Sequence, residues 1–188
     1  MGLLLDISPR RAAPSAAWTW AAARSARGWV AVCGKGEALA AATIGHASEV
    51  DAVRWLHGSL PDADWTDDKP SAFAKQLAQR LAGVLAGEAD DLADVPLAVD
   101  HLRPFARRVT QRCREIPRGQ TMTYAELAAA CGSPRAARAV GNVMRTNRFP
   151  LVVPCHRVVG SGGGLGGYSA PTGLTLKRAL LELEGADF

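Results

Sequence analysis

The sequence has no apolar run near the roughly 18 residues that a membrane-spanning helix needs. The opening stretch MGLLLDISPRR has Asp6 inside its short apolar patch and its basic pair after it. That order does not fit a secretory signal, so a cytoplasmic protein, nucleoid-associated in a bacterium, is expected. Four cysteines are present, Cys33, Cys113, Cys131 and Cys155, and no two form a Cys-x-x-Cys pair. A zinc ribbon or finger is therefore excluded, and no metal is expected. Scattered cysteines in a reducing compartment are mostly small core residues, the reading adopted for Cys33, Cys113 and Cys131. No tryptophan follows residue 65, so all five lie in the N-terminal part of the chain, where they read as scaffold.

What is present is globular in kind. The 188 residues are 48% apolar and 21% charged, ordinary values for a folded domain. The charge is unevenly spread. Residues 1–100 hold 9 Lys and Arg against 13 Asp and Glu, a net of −4, whereas residues 101–188 hold 13 against 5, a net of +8. A basic half of this kind suits a polyanionic partner. The split places a domain boundary near residue 100, and a change of character from residue 96 sets the division at 1–95 and 96–188.

The first part reads as a small α/β unit. Trp18 and Trp20 alternate as in a strand. Gly28–Cys33 and Glu37–Ile44 flank Gly34-Lys35-Gly36, a hairpin signal. Ser48 is a candidate N-cap for a helix carrying Val50, Val53 and Leu56 and closed by Gly58. Residues 61–70 read as a loop. After Pro70 a second helix puts Phe73, Leu77, Leu81 and Val84 on one face and ends at Gly87. His46 and His57 have no evident partners, and no catalytic constellation appears.

From Pro96 the pattern turns helical after one short strand at 96–99. Pro104 opens a helix with Phe105, Val109, Cys113 and Ile116 on one stripe, stopped by the sequence IPRG. Thr123 and Glu126 have the spacing of a capping box for a short helix, 125–131, that Gly132 stops. Ser133 and Pro134 then read as N-cap and first residue of a helix to about Arg145. Two helices joined so tightly suggest a helix-turn-helix. The second is unusual: Arg135, Arg138 and Arg145 stand among Ala136, Ala137, Ala139, Val140 and Gly141. Small residues allow close approach to a groove and arginines meet phosphates. A small-residue face packed on another helix is the alternative on spacing alone.

Cys155 differs from the other three cysteines. In PLVVPCHRVVGSGGGLGGYS, residues 150–169, it follows an apolar run and Pro154 and precedes His156 and Arg157. This reads as a thiol at the mouth of a buried strand. A thiolate is the reactive form, and neighbouring basic groups promote it. Adjacent residues of a strand face opposite ways, so His156 would need a bent backbone or a bridging water to act on Cys155.

Taken in order, IPRGQTMTYAELA, SPRAARAVGNVMRTN, PLVVPCHRVV, GGYS and LLELEG resemble the O6-alkylguanine-DNA alkyltransferase family over about residues 101–185. The resemblance implies an α/β (α+β) fold, with an N-terminal ribonuclease-H-like domain and a C-terminal winged helix-turn-helix domain. It implies a DNA repair protein that flips O6-alkylguanine out of double-stranded DNA and takes the alkyl group irreversibly, without cofactor. It further implies a monomer, able to cluster along DNA.

By the same resemblance Cys155 is the acceptor, His156 the base through a water, and Glu184 the group that orients His156. Asn147 braces the turn before the cysteine. Arg138 fills the gap left by the flipped base. Tyr124 crowds the adjacent phosphate and protonates guanine N3. Ser169 and Tyr168 close the pocket, and the carbonyls of Cys155 and Val158 accept from the exocyclic amine. Ala137, Ala139 and Gly141 lie in the minor groove, with Arg135 and Arg145 on the DNA.

Each residue also has a plainer reading: Tyr124 as a core aromatic, Glu184 as an exposed helix-end acid, Asn147 as a helix C-cap. Two competing functions are a non-catalytic winged-helix protein or lesion sensor, and a cysteine hydrolase. The first usually lacks the acceptor thiol; the second lacks an evident oxyanion-hole motif. The sequence departs from the family pattern at Pro171-Thr172, about two residues more than usual, and at Thr110, where an aromatic is common. Gly160–Gly164 is glycine-dense and expected to be mobile until DNA orders it.

Overall fold

The computed structural model describes residues 18–61, 63, 65 and 70–188. The N-terminal stretch MGLLLDISPRR and most of the loop at 61–70 lie outside the described residues. Three strands come first: β1 (Trp18–Ser25), β2 (Gly28–Lys35) and β3 (Ala38–His46). They form an antiparallel meander in the order β1-β2-β3. The hairpin expected between the second and third segments is there, with Gly36 at φ 61° in its turn. Pro96–Val99 is not a full strand. It makes one parallel bridge, Leu97 with Leu39, in which Leu39 N–H donates to Pro96 O and Ala98 N–H to Leu39 O.

Two helices cover the two faces of this sheet: α1 (Glu49–Ser59) and α2 (Ala72–Ala86). The alternation along β2 sets the partition. Val30 and Val32 join Leu77 and Leu81 of α2 in one cluster, whereas Ala31 and Cys33 join Ala52 and Leu56 of α1 in another. All five tryptophans pack on the α1 side. Ser48 caps α1, accepting from Asp51 N–H at 3.1 Å. The stripe expected on α1 holds at Leu56, which is buried, and is corrected at Val50, which is 63% exposed while Ala52 is buried. Gly58 does not end the helix either; Leu60 does, through its N–H to Leu56 O. The hydrogen-bond ladder needs no left-handed residue there, so the glycine is simply carried within the last turn. In α2 the stop at Gly87 holds, with φ 116°.

The chain then enters α3 (Pro104–Arg114), β4 (Met122–Thr123), α4 (Tyr124–Ala130), α5 (Ala137–Arg145), a single 3₁₀ turn (Cys155–Arg157), β5 (Val158–Val159) and α6 (Leu174–Glu184). Val109 and Cys113 of α3, Leu127 of α4 and Val140 of α5 share a core that continues into the α2 face of the sheet. The capping box on α4 is complete: Thr123 Oγ1 accepts from Glu126 N–H, and the Glu126 carboxylate accepts from Thr123 N–H at 2.7 Å. Thr110 is buried on α3.

Two local expectations fail for identifiable reasons. Ser133 does not cap α5. Its own N–H closes α4 by donating to Ala128 O, and its carbonyl accepts from Ala136 N–H, so residues 133–136 form a turn and α5 starts at Ala137. Arg135 therefore sits in that turn. Nor are residues 151–153 a strand. Leu151 has φ 69°, and Val153 N–H donates back to Phe149 O, so the apolar run is a buried chain of turns. An apolar run alone does not distinguish a buried strand from a buried turn. A non-glycine residue at positive φ is strained, and this one lies four residues before the cysteine. Parallel pairing of β4 with β5 (Met122 with Val158, Thr123 with Val159) ties the start of α4 to the residues just after the cysteine.

Candidate active site

Cys155 opens the 3₁₀ turn and is 8% exposed. The 3₁₀ geometry replaces the strand-like alternation expected at 155–156, since successive residues step about 120° rather than pointing oppositely. Cys155 lines two clefts. One, of about 440 Å³, lies against α4 and α5 and is lined also by Tyr124, Gly141, Arg145 and Tyr168. The other faces the sheet, with Ala42, Ile44, Trp55 and Pro150 in its wall. Burial pushes the Cys155 thiol up, and the hydrogen bond from Asn147 with the nearby Lys177 charge only partly opposes this. A thiol so held needs help to ionise.

His156 is 1% exposed. Its Nε2 lies 2.9 Å from Glu184 Oε1. Burial holds the imidazole pKa below its ordinary value although Glu184 pulls it upward. The ring is thus neutral near pH 7. Beside an ionised carboxylate Nε2 carries the proton, which leaves Nδ1 as a base. Arg157 binds the same carboxylate on both oxygens, through Nε at 2.8 Å and Nη2 at 2.8 Å, and donates its Nη1 to Ile116 O at 2.6 Å. Glu184, with its side chain 4% exposed, is accordingly a buried, twice-paired carboxylate and not a solvated helix end. Burial raises its pKa, but the hydrogen bonds from His156 and Arg157 outweigh that and bring it down to about 2 from an ordinary 4.5.

The sign follows. A depressed folded-state pKa means stability present above the ordinary carboxylate value and lost as pH falls through the folded one. The thermal midpoint is expected to drop between about pH 4.5 and about pH 2. Glu184→Gln should flatten that portion of the curve in a pH series of melting scans.

Asn147, two residues past the end of α5, holds the turn ahead of the cysteine. Its Nδ2 donates to Val153 O at 2.9 Å and its Oδ1 accepts from Phe149 N–H at 3.0 Å. Asn147→Ala leaves both backbone groups without these partners. The expected loss is about 2 kcal/mol, read from the urea midpoint, together with slower reaction of Cys155.

Lys177 was not singled out from the sequence. It is fully buried, and its Nζ donates to Val158 O at 2.5 Å. Desolvation lowers its pKa to about 8, and the Cys155 and Cys113 thiols act in the opposite sense. Arg157 was missed as a Glu184 partner as well. A signal for Lys177 existed: it interrupts the apolar stripe of α6 formed by Leu176, Leu180 and Leu181, and charged residues in such a stripe are rarely buried without purpose.

The remaining candidates fall around the α4–α5 cleft. Tyr124 begins α4 and is partly buried. Its ring packs against Gly166, where an added Cβ would lie 2.8 Å from the hydroxyl and φ is +70°. Ser169 Oγ donates to Arg145 O at 2.9 Å, tying the loop after β5 to the end of α5. Tyr168 beside it lines both clefts. The Val158 carbonyl is engaged by Lys177. On α5, Arg138, Ala139 and Arg145 are exposed and Ala137 and Gly141 half-buried, and Arg135 is exposed in the preceding turn. None of these three arginines forms an ion pair among the described residues. The segment Gly160–Gly164 closes on itself through Gly160 N–H to Gly164 O at 2.6 Å. Pro171 and Thr172 are exposed, in the turn that leads to α6.

The two histidines of the N-terminal part do have partners. His46 Nε2 lies 2.6 Å from Thr43 Oγ1, and His57 stacks on Trp65. Cys33, Cys113 and Cys131 are buried and free, as expected of core cysteines. Among the described residues no three His, Cys, Asp or Glu side chains converge as metal ligands would. No helix among them is long and apolar enough to cross a membrane.

Fold and site together define a helix-turn-helix protein with exposed arginines on and before its second helix, one of which, Arg145, lines a cleft that also holds Cys155. Residues 104–186 match the family described as 6-O-methylguanine DNA methyltransferase, DNA binding domain. A methylated-DNA–protein-cysteine methyltransferase of Methanosarcina acetivorans is 39% identical over 127 residues, which cover 68% of this chain and 77% of that protein. The crystal structure of Mycobacterium tuberculosis OGT in complex with DNA superposes with a TM-score of 0.67 at 34% identity, covering 88% of this chain and 92% of that one. The O6-methylguanine-DNA methyltransferase of Pyrococcus kodakaraensis gives a TM-score of 0.72 at 28% identity, covering 90% and 99%. The chain belongs to the methylated-DNA–protein-cysteine methyltransferase family.

Proposed function

We propose that the protein repairs DNA by moving the alkyl group of O6-alkylguanine onto Cys155, in one turnover per molecule. The observation that carries this reading is the joining of Cys155 to the His156–Glu184–Arg157 array at the floor of a cleft bordered by α5. His156 Nδ1 takes the thiol proton through a water. The Cys155 Sγ–carbon bond forms as the carbon–O6 bond breaks. Guanine leaves, its N3 protonated by the Tyr124 hydroxyl, and the phenolate regains a proton as the His156 imidazolium gives one up through solvent, so that the thiol proton ends on guanine. Glu184 stays ionised throughout and holds the imidazole in the required tautomer. The thioether product has no leaving group of comparable quality, so the thiol is not regenerated.

In this reading α5 lies in the minor groove of double-stranded DNA. Ala137, Ala139 and Gly141 allow the close fit, and Arg135 and Arg145 meet phosphates. Arg138 replaces the flipped base in the stack, offsetting an unstacking cost of a few kcal/mol. Tyr168 and Ser169 close over the extruded base. The Val158 carbonyl, with that of Cys155, accepts from its exocyclic amine. We place the division between scaffold and DNA-binding domains at residue 95/96. The protein acts in the cytoplasm as a monomer able to cluster along DNA, associated with the nucleoid if its source is bacterial. A lesion sensor without chemistry is less well supported, because it leaves Cys155 and its buried base without a role.

The test is to recover a duplex that contained one O6-methylguanine and to analyse its nucleosides. Restored guanine, rising to one equivalent per protein and no further, is expected. Unchanged O6-methylguanine with tight binding would favour the sensor.

A further inference from the structure

Among the described residues, only two buried side-chain polar atoms lack a hydrogen-bond partner, His156 Nδ1 and the Tyr168 hydroxyl. Both belong to the neighbourhood of Cys155. Tyr168 lines both clefts that the cysteine lines. Burial raises the Tyr168 phenol, and the charges of Cys155 and Glu184 add to the rise, which puts its hydroxyl within electrostatic reach of both. A buried phenol without a partner is costly, because its desolvation is not compensated. Closing a loop over a base requires only the ring. The hydroxyl asks for a separate explanation.

We propose that the Tyr168 hydroxyl is a positioning residue for proton transfer, holding one water against Cys155 Sγ jointly with His156 Nδ1. Buried waters typically make about three hydrogen bonds. Sγ, Nδ1 and the phenol oxygen supply three. The Sγ–H proton passes to the water, and a water proton passes to the lone pair of Nδ1, so the water is regenerated and the imidazolium faces Glu184. The phenol keeps its own proton. Its hydrogen bond fixes the water along the line from sulfur to nitrogen. This rests on the alkyl-transfer reading and adds to it an atom with no part in base recognition. Ser169 does not fill the place, since its hydroxyl is given to Arg145 O on the outer side of the loop.

Burial raises the Cys155 thiol, and the Asn147 hydrogen bond and the Lys177 charge on α6 oppose it. The Cys155 charge in turn acts on Cys113 on α3, Tyr124 on α4 and Tyr168 on the loop, while His156 lies beside it and binds Glu184 on α6. Tyr168→Phe removes one hydroxyl from these surroundings and keeps the aromatic ring. The experiment measures the rate of Cys155 alkylation by iodoacetamide, a small electrophile that needs no base pocket, from pH 5 to 10 by peptide mass. The expected result is an apparent thiol pKa about one unit higher in Tyr168→Phe, hence about tenfold slower alkylation below it. Melting temperature and affinity for unmodified duplex should match the parent. An unchanged pH profile would overturn the proposal. The parent protein is assayed in parallel on O6-methylguanine duplex. Transfer there with an unchanged Tyr168→Phe profile sinks this inference alone, whereas no transfer sinks the underlying reading.

Discussion

Cys155→Ser is expected to abolish alkyl transfer while leaving binding to duplex DNA intact. A hydroxyl in the same position ionises far less readily than a thiol and is a much poorer nucleophile toward an alkyl carbon. The buried array around it was assembled to assist a thiol. Cys155 is 8% exposed and lies at the cleft floor, not on the outward face of α5 that carries Arg138 and Arg145. The change removes one atom's chemistry without altering the surface offered to DNA. Transfer assays would read no product above the buffer control, and equilibrium binding to O6-methylguanine duplex would be unchanged. Residual transfer in this variant would mean that another nucleophile accepts the group. None of the other three cysteines is placed for that, since Cys33, Cys113 and Cys131 line neither of the two clefts.

The second large effect is expected from Arg138→Ala. Arg138 is exposed on α5 and without an ion-pair partner among the described residues, so its removal leaves no buried charge uncompensated. Stability should barely change. Its part is to occupy the space a flipped nucleotide vacates, which offsets unstacking by a few kcal/mol. Loss of about 2.7 kcal/mol of that offset corresponds to about a hundredfold. Repair of duplex should therefore slow by about that factor. Reaction with the free base O6-benzylguanine, which needs no flipping, should be nearly unaffected. Equal losses on both substrates would place Arg138 in the chemistry instead.

Cys155 and His156 stood out through the family resemblance of the motifs around them, not through adjacency alone, which suggested a strand where a 3₁₀ turn stands. The capping box at Thr123 and Glu126 announces α4. Trp18 and Trp20 alternate on β1 as expected, and both pack, partly buried, on the α1 side. Other parts were hidden for physical reasons. The β4–β5 pairing involves two residues on each side, too short to leave any periodicity. Leu151–Val153 carries the composition of a strand, and only the positive φ of Leu151 reveals a turn. The fork of Arg157 onto Glu184 joins residues 27 apart, a distance no local pattern reports. Lys177 could have been read from its place in the α6 stripe, but its partner, the Val158 carbonyl, could not.

Alkyl transfer to Cys155 is tested most directly by the mass of the protein after it meets duplex DNA carrying a single O6-methylguanine. The expected result is one added methylene, on the peptide containing Cys155, in one copy per molecule and no more at any excess of DNA. No added mass, or mass on any other peptide, would contradict it.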